Sequence, residues 1–137
     1  HNQTTGRPAG GWEDVASEIV IDESLTEHLT GLEEFSHIVV IFWMHKCPLE
    51  SPPPIKVHPR GRTDLPLVGL FSSRAPHRPN SLGLTVARLV RRRNNVLEVT
   101  GLDAVDGTPV IDIKPYMPVA DSADAVRMPD WVAKLNS

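Results

Sequence analysis

Residues 69–83 read GLFSSRAPHRPNSLG, which puts two guanidiniums, Arg74 and Arg78, and the His77 imidazole within five positions. Pro76 and Pro79 fix their own φ and restrict the residues before them, so these groups sit on a connection with few conformations. A guanidinium fork matches a carboxylate or phosphate through two parallel, charge-assisted hydrogen bonds. The stretch therefore suits a pre-organised site for an anionic or polar small ligand, with one arginine holding the ligand and the other fixing the loop. A purely structural network of Arg74 and Arg78 with Asp103, Asp106 or Asp112 is the alternative. Asn80 offers both donor and acceptor, to read a base edge or to hold the following turn.

A second group of polar residues lies in 109–117, PVIDIKPYM. Strand alternation there places Val110, Asp112 and Lys114 on one face and Ile111 and Ile113 on the other. Asp112 can accept a proton, steady a donor or pair with Arg78; a nearby arginine favours the role of orienter over that of base. His58, Arg60 and Arg62 make a basic segment after the proline run 52–54, read equally well as a solvated loop or as a flap over a phosphate-bearing substrate. Arg91, Arg92 and Arg93 flank a turn, where they either solubilise it or touch nucleic-acid backbone. His37 and His45 mark the two ends of an apolar run.

Other chemistries lack their signatures. No phosphate loop ending in GK and Ser or Thr, no HExxH and no GxSxG is present, and the histidines lack metal-ligand spacing. The lone Cys47 permits no internal disulfide. With 137 residues, a net charge of −3 and no apolar run of membrane length, the chain reads as one soluble domain without a secretion signal. Any attraction to nucleic acid must be local.

These groups need elements to position them. Residues 1–14 read as a polar loop, 17–21 as a short strand, and 25–32 as a short amphipathic helix capped by Asp22 or Ser24 and ended near Gly31. FSHIVVIFWM at 35–44 reads as a central strand buried on both sides. Strands are further expected at 67–71, 84–90 and 96–102, the last two joined by a hairpin at 92–95, and again over 109–117 after an Asp106-Gly107 turn. Residues 119–137 form a tail anchored by Trp131 and Val132. Thirteen prolines and scarce helix signal favour a mainly β, compact single-domain barrel with one or two short helices.

Four blocks in order, GLEEFSHIVVIFWMH at 31–45, HPRGR at 58–62, GLFSSRAPHRPNSLGLT at 69–85 and LDAVDGTPVIDIKPYMP at 102–118, resemble the TsaA-like, TrmO-type tRNA methyltransferases. The resemblance implies a non-Rossmann β-barrel methyltransferase that is cytoplasmic, homodimeric and binds S-adenosylmethionine near its interface. It implies methylation of N6 of threonylcarbamoyl-adenosine at position 37 of tRNA. Carried onto this chain, Arg74, His77, Arg78, Pro79 and Asn80 match the central motif, and Asp103, Asp106, Gly107, Thr108, Asp112, Lys114 and Tyr116 the second. The reading assigns Asp112, Arg78 and His77 to catalysis. Arg74, Arg78, Pro79, Asn80, Asp106, Thr108, Lys114 and Tyr116 are assigned to the cofactor, and His37, Arg60, Arg62 and Arg92 to RNA. No metal is expected. The family's first strand looks missing before His1. A non-catalytic S-adenosylmethionine- or tRNA-binding module is the competing reading, and a small-anion hydrolase a weaker third.

Overall fold

The computed structural model describes residues 15–45 and 52–135; the expected loop at 1–14 and Cys47 lie outside them. The chain divides into two compact units, His1–His45 with Leu82–Asp121, and Lys46–Ser81 with Ser122–Ser137. Among the described residues the strands are, in chain order, β1 (Ala16–Val20), β2 (His37–Trp43), β3 (Lys56–Val57), β4 (Val68–Gly69), β5 (Leu82–Arg93), β6 (Val96–Thr100) and β7 (Val110–Pro115).

The first unit holds a five-stranded antiparallel sheet in the order β1-β6-β5-β2-β7. The β-branched and aromatic run of β2 takes an inner position, as its composition predicts. Ile38, Val39 and Val40 bury both faces of its centre, whereas His37 and Trp43 at its ends are exposed, Trp43 at 39%. On one face Ile19, Ile38, Val40, Phe42, Ala87, Leu89, Leu97 and Val99 form the core, covered by Leu29, Leu102 and Ala104 from the connections. Each large aliphatic side chain buried this way contributes roughly 1.5–3 kcal/mol. The opposite face leaves Leu82, Leu84, Val86 and Trp43 substantially exposed.

Three local outcomes differ from the expectations. The segment after Asp22 is a 3-10 helix, Glu23–Leu29, with Asp22 capping it through the Ser24 amide; Thr26 and Thr30 bond back to carbonyls three residues earlier. The expected strand at 67–71 is only Val68–Gly69, because the Ser73 amide and hydroxyl both bind the Leu70 carbonyl and turn the chain into a 3-10 helix. In β7 the register against β2 jumps between Ile41 and Phe42, so Ile111 is an extra residue. Simple alternation fails there: Val110 packs on the core together with Ile113, while Ile111 is 57% exposed.

The expected barrel is corrected to open sheets. Among the described residues β1 pairs only with β6 and β7 only with β2, so the outer edges do not meet. β7 ends in Pro115, which has no amide to donate to a further strand, and proline in a sheet belongs at an edge. The second unit carries the β3-β4 pair, the turn Pro59–Gly61, the turn Leu70–Ser72 and the short helix α1 (Trp131–Leu135).

Gly83 lies opposite Phe42 across β5 and β2, and a Cβ there would stand 2.4 Å from the Phe42 ring. Gly83→Ala must therefore move a core aromatic and should destabilise by about 1–3 kcal/mol, the range for overpacked cores. Denaturant unfolding checks this, with Gly107→Ala, where the space is open but φ is +80°, as the comparison for purely backbone strain.

Candidate functional site

The motif loop is shaped by its own hydrogen bonds. Ser73 Oγ donates to the Leu70 carbonyl at 2.8 Å and accepts from the Ala75 amide, and Ser81 Oγ meets both the amide and the carbonyl of Arg78. Arg78 Nη1 donates to two carbonyls, Ser73 at 2.9 Å and Ala75 at 3.0 Å, and its guanidinium lies 5.7 Å from the Phe71 ring centre. One nitrogen thus closes the loop, leaving Nε and Nη2 without partners among the described residues. Arg74 is exposed and likewise has none, nor has Asn80; Pro79 is exposed and His77 half-buried. Of the two roles open to the arginine pair, Arg78 takes the loop-fixing one and Arg74 stands available to a ligand.

The second motif lies in the first unit. Asp112 Oδ1 accepts from the Ile113 amide at 2.8 Å and Oδ2 faces Lys114 Nζ at 3.6 Å, so the carboxylate and the ammonium share one face of β7. Both oxygens are engaged, which suits an orienting role. Asp106 is exposed in the turn that Gly107 completes with φ +80°. Thr108 is 2% exposed, and its hydroxyl and amide both donate to the Val105 carbonyl, so this hydroxyl locks the turn. Tyr116 meets His37 edge-on at 6.3 Å, and its amide donates to the His37 carbonyl. Ser36 Oγ lies 2.7 Å from His37 Nδ1.

The basic residues expected at RNA are largely committed elsewhere. Arg60 Nη1 donates to the Leu135 carbonyl at 2.6 Å and Arg62 Nη1 to that of Lys134 at 2.8 Å, so both cap the last turn of α1. Arg62 also grips Asp64 at 2.7 Å, and this hydrogen bond holds the Asp64 carboxyl below its ordinary range. Arg92 donates to the carbonyl of Asn94 in the hairpin and reaches Thr26 and Glu33. Arg91 and Arg93 pair with Glu98, and Arg93 also with Glu18. The Arg91 hydrogen bond first, and that of Arg93 after it, lower the Glu98 carboxyl against partial desolvation.

Sequence reasoning passed over Arg88. It sits directly opposite His37 on β2 and Thr100 on β6, and these three side chains form one row across the sheet. Together with Val86, Leu89, Val90 and Gly101 they line an open hollow of about 550 Å³. Period-two counting along β5 puts Arg88 on the face of Val86 and Leu84, and that signal was available.

The family model described as tRNA-methyltransferase O N-terminal domain matches residues 1–122. The chain belongs to this family. It is 36% identical over 126 residues to a probable S-adenosyl-L-methionine-binding protein of Pyrococcus abyssi, covering 92% of this chain and 65% of that one. It is 41% identical over 109 residues to a human tRNA (adenine(37)-N6)-methyltransferase, covering 75% of this chain but 23% of the human protein. Crystal structures of TrmO are similar, one with a TM-score of 0.68 at 34% identity over 85% of this chain and 50% of its own. Another, from Pseudomonas aeruginosa, has a TM-score of 0.69 at 29% identity over 93% and 56%. The chain thus spans about half of these solved proteins. The family match includes both the arginine loop and the Asp112 strand, and it accounts for the four ordered blocks.

Arg78→Ala removes two charge-assisted bonds at once, and at about 1.5–3 kcal/mol for a bond to a charged group it should lower unfolding free energy by that order while the sheet stays folded. Arg78→Lys should not restore the loss, because an ammonium lacks the planar fork and its cation-π face. Denaturant unfolding of the two variants, with circular dichroism of the sheet, checks both statements.

Proposed function

We propose that the chain is an S-adenosylmethionine-dependent methyltransferase acting on tRNA, with N6 of threonylcarbamoyl-adenosine at position 37 as its acceptor. The observation that carries this is the arginine loop. Within a matched TrmO domain, Arg78 holds the loop shut by its own carbonyls while Arg74 and Asn80 have no partner on it among the described residues. The donor set fits the cofactor: a guanidinium suits the methionyl carboxylate, and an amide suits the adenine edge or a ribose hydroxyl. When bound, S-adenosylmethionine supplies an electrophilic sulfonium methyl.

The protein's part is then positional. The loop's fixed backbone orients Arg74 before any ligand arrives, which reduces the entropy that must be lost on binding. On the sheet, Asp112 orients Lys114 for an anionic substrate group, and His77 is the protein group proposed to receive the N6 proton. Thr108, buried in its turn, contributes shape rather than a contact. Arg60, Arg62 and Arg92 support their segments and have only part of their donors left for RNA.

Isothermal titration with S-adenosylmethionine, followed by methyl transfer to unmodified and threonylcarbamoylated tRNA, tests the reading. The wild-type chain should bind in the micromolar range, Arg74→Ala should bind at least tenfold more weakly, and transfer should require the carbamoylated adenosine. Binding without transfer to either tRNA would favour the module reading, which the naming of the Pyrococcus relative as a binding protein supports. Absence of binding would sink both.

The homodimer belongs to the same proposal. Leu82, Leu84 and Trp43 form an apolar row on the open face of the sheet, at exposures of 39–57%, and such a row is a burial surface in search of a second layer. Leu84→Glu should convert a dimer to a monomer in light scattering after gel filtration; a wild-type monomer would remove the dimer from the proposal.

A further inference from the structure

We propose that the hollow beside β5 is a binding site for one nucleotide of an RNA strand, with its phosphate on Arg88 and His37 and its base over Val86 and Val90. This rests on the tRNA reading above and names a contact surface for it.

The charge accounting points to Arg88. At a net charge of −3 the chain has no general attraction for a polyanion, so RNA must be met by a local cation. Along β5 and its turn, Arg91, Arg92 and Arg93 each spend their charge on Glu98, Glu33 or Glu18. Arg88 has no hydrogen-bond or ionic partner among the described residues, and it is exposed. It is also the cation that faces the hollow.

The surroundings specify more than an anion. His37 stands directly across the strand pair, its Nδ1 held by Ser36 Oγ and its ring edge-on to Tyr116, so Nε2 is the nitrogen left for a ligand. Thr100, the cross-strand neighbour on the other side, adds a hydroxyl suited to a ribose 2′-OH. Between Leu89 and Arg91 the β5-β6 register shifts, and the extra residue Val90 is 56% exposed. Val86 and Val90 thereby give the hollow an apolar floor beside the row of His37, Arg88 and Thr100. A volume of about 550 Å³ is far larger than a bare phosphate needs and falls within the usual range of small-molecule sites, roughly 300–1,000 Å³. One nucleotide uses both the polar row and the floor.

The test is tRNA binding across a salt series by wild type, Arg88→Ala and Arg91→Ala, with S-adenosylmethionine titration of each. Arg91→Ala removes the same charge from the same strand but from outside the hollow. Arg88→Ala should weaken tRNA binding about tenfold and flatten the slope of log affinity against log salt by roughly one phosphate contact, with cofactor binding and thermal melting unchanged. Arg91→Ala should stay within about twofold of wild type. Equal effects of the two variants overturn the site and leave the tRNA reading intact, whereas a wild-type chain that binds the cofactor but ignores tRNA overturns that reading and the site together.

Discussion

The antiparallel register between β2 and β5, running from His37 opposite Arg88 to Trp43 opposite Leu82, decides which side chains of the sheet can meet. Because a strand alternates faces at every residue, a slip of one position would send Phe42 and Val40 to the open face and bring Arg88 into the core. The pairing of Gly83 with Phe42 guards against this, since only a glycine accepts the ring so close to its backbone. The same register sets His37, Arg88 and Thr100 in one row, so the packing that makes the core also makes the hollow.

Several of the described arginines are structural residues. Arg60, Arg62, Arg78 and Arg92 each donate to backbone carbonyls and so satisfy acceptors that short turns and a one-turn helix leave exposed. A protein with little regular helix and many prolines has more such acceptors to satisfy than a helical bundle does. The consequence is a separation of tasks: arginines bound to carbonyls hold the frame, and Arg74 and Arg88, with no such bonds among the described residues, are the two proposed to meet ligands.

Much of this was legible in the sequence because it depends on neighbours in the chain. The run HIVVIFW identified an inner strand, Asn94 and Asn95 a tight hairpin, and Asp106-Gly107 a turn. The four blocks pointed to the family that the domain match establishes. What failed depends on groups far apart or on single insertions. The extra residue Ile111 reversed the phase expected for Val110, and nothing in PVIDIKPYM signals a bulge. Barrel closure is a relation between two edges, and local patterns carry no trace of it. The basic segment at 58–62 looked equally like a flap or a loop because its partners, the carbonyls of Lys134 and Leu135, lie more than seventy residues onward. Which member of the pair Arg74 and Arg78 would hold the loop was likewise decided by distances to Ser73 and Ala75 that spacing alone does not fix.

That last separation bears on how the chain reaches its fold. The second unit is discontinuous, and the bonds from Arg60 and Arg62 close across 75 and 72 residues. During synthesis the basic turn leaves the ribosome well before the carbonyls it caps exist, and β5, β6 and β7 of the first unit emerge in between. The β2-β5-β6 pairings can form as those strands appear, but the clamp on α1 must wait until residues 134 and 135 have been added. Long-range closure of this kind is slow because chain entropy is lost before contacts compensate for it. The arginine turn at 58–62 therefore waits through the synthesis of more than seventy residues without these partners, roughly 4–15 s at about 5–20 residues per second, and chaperones and proteases would meet it in that interval.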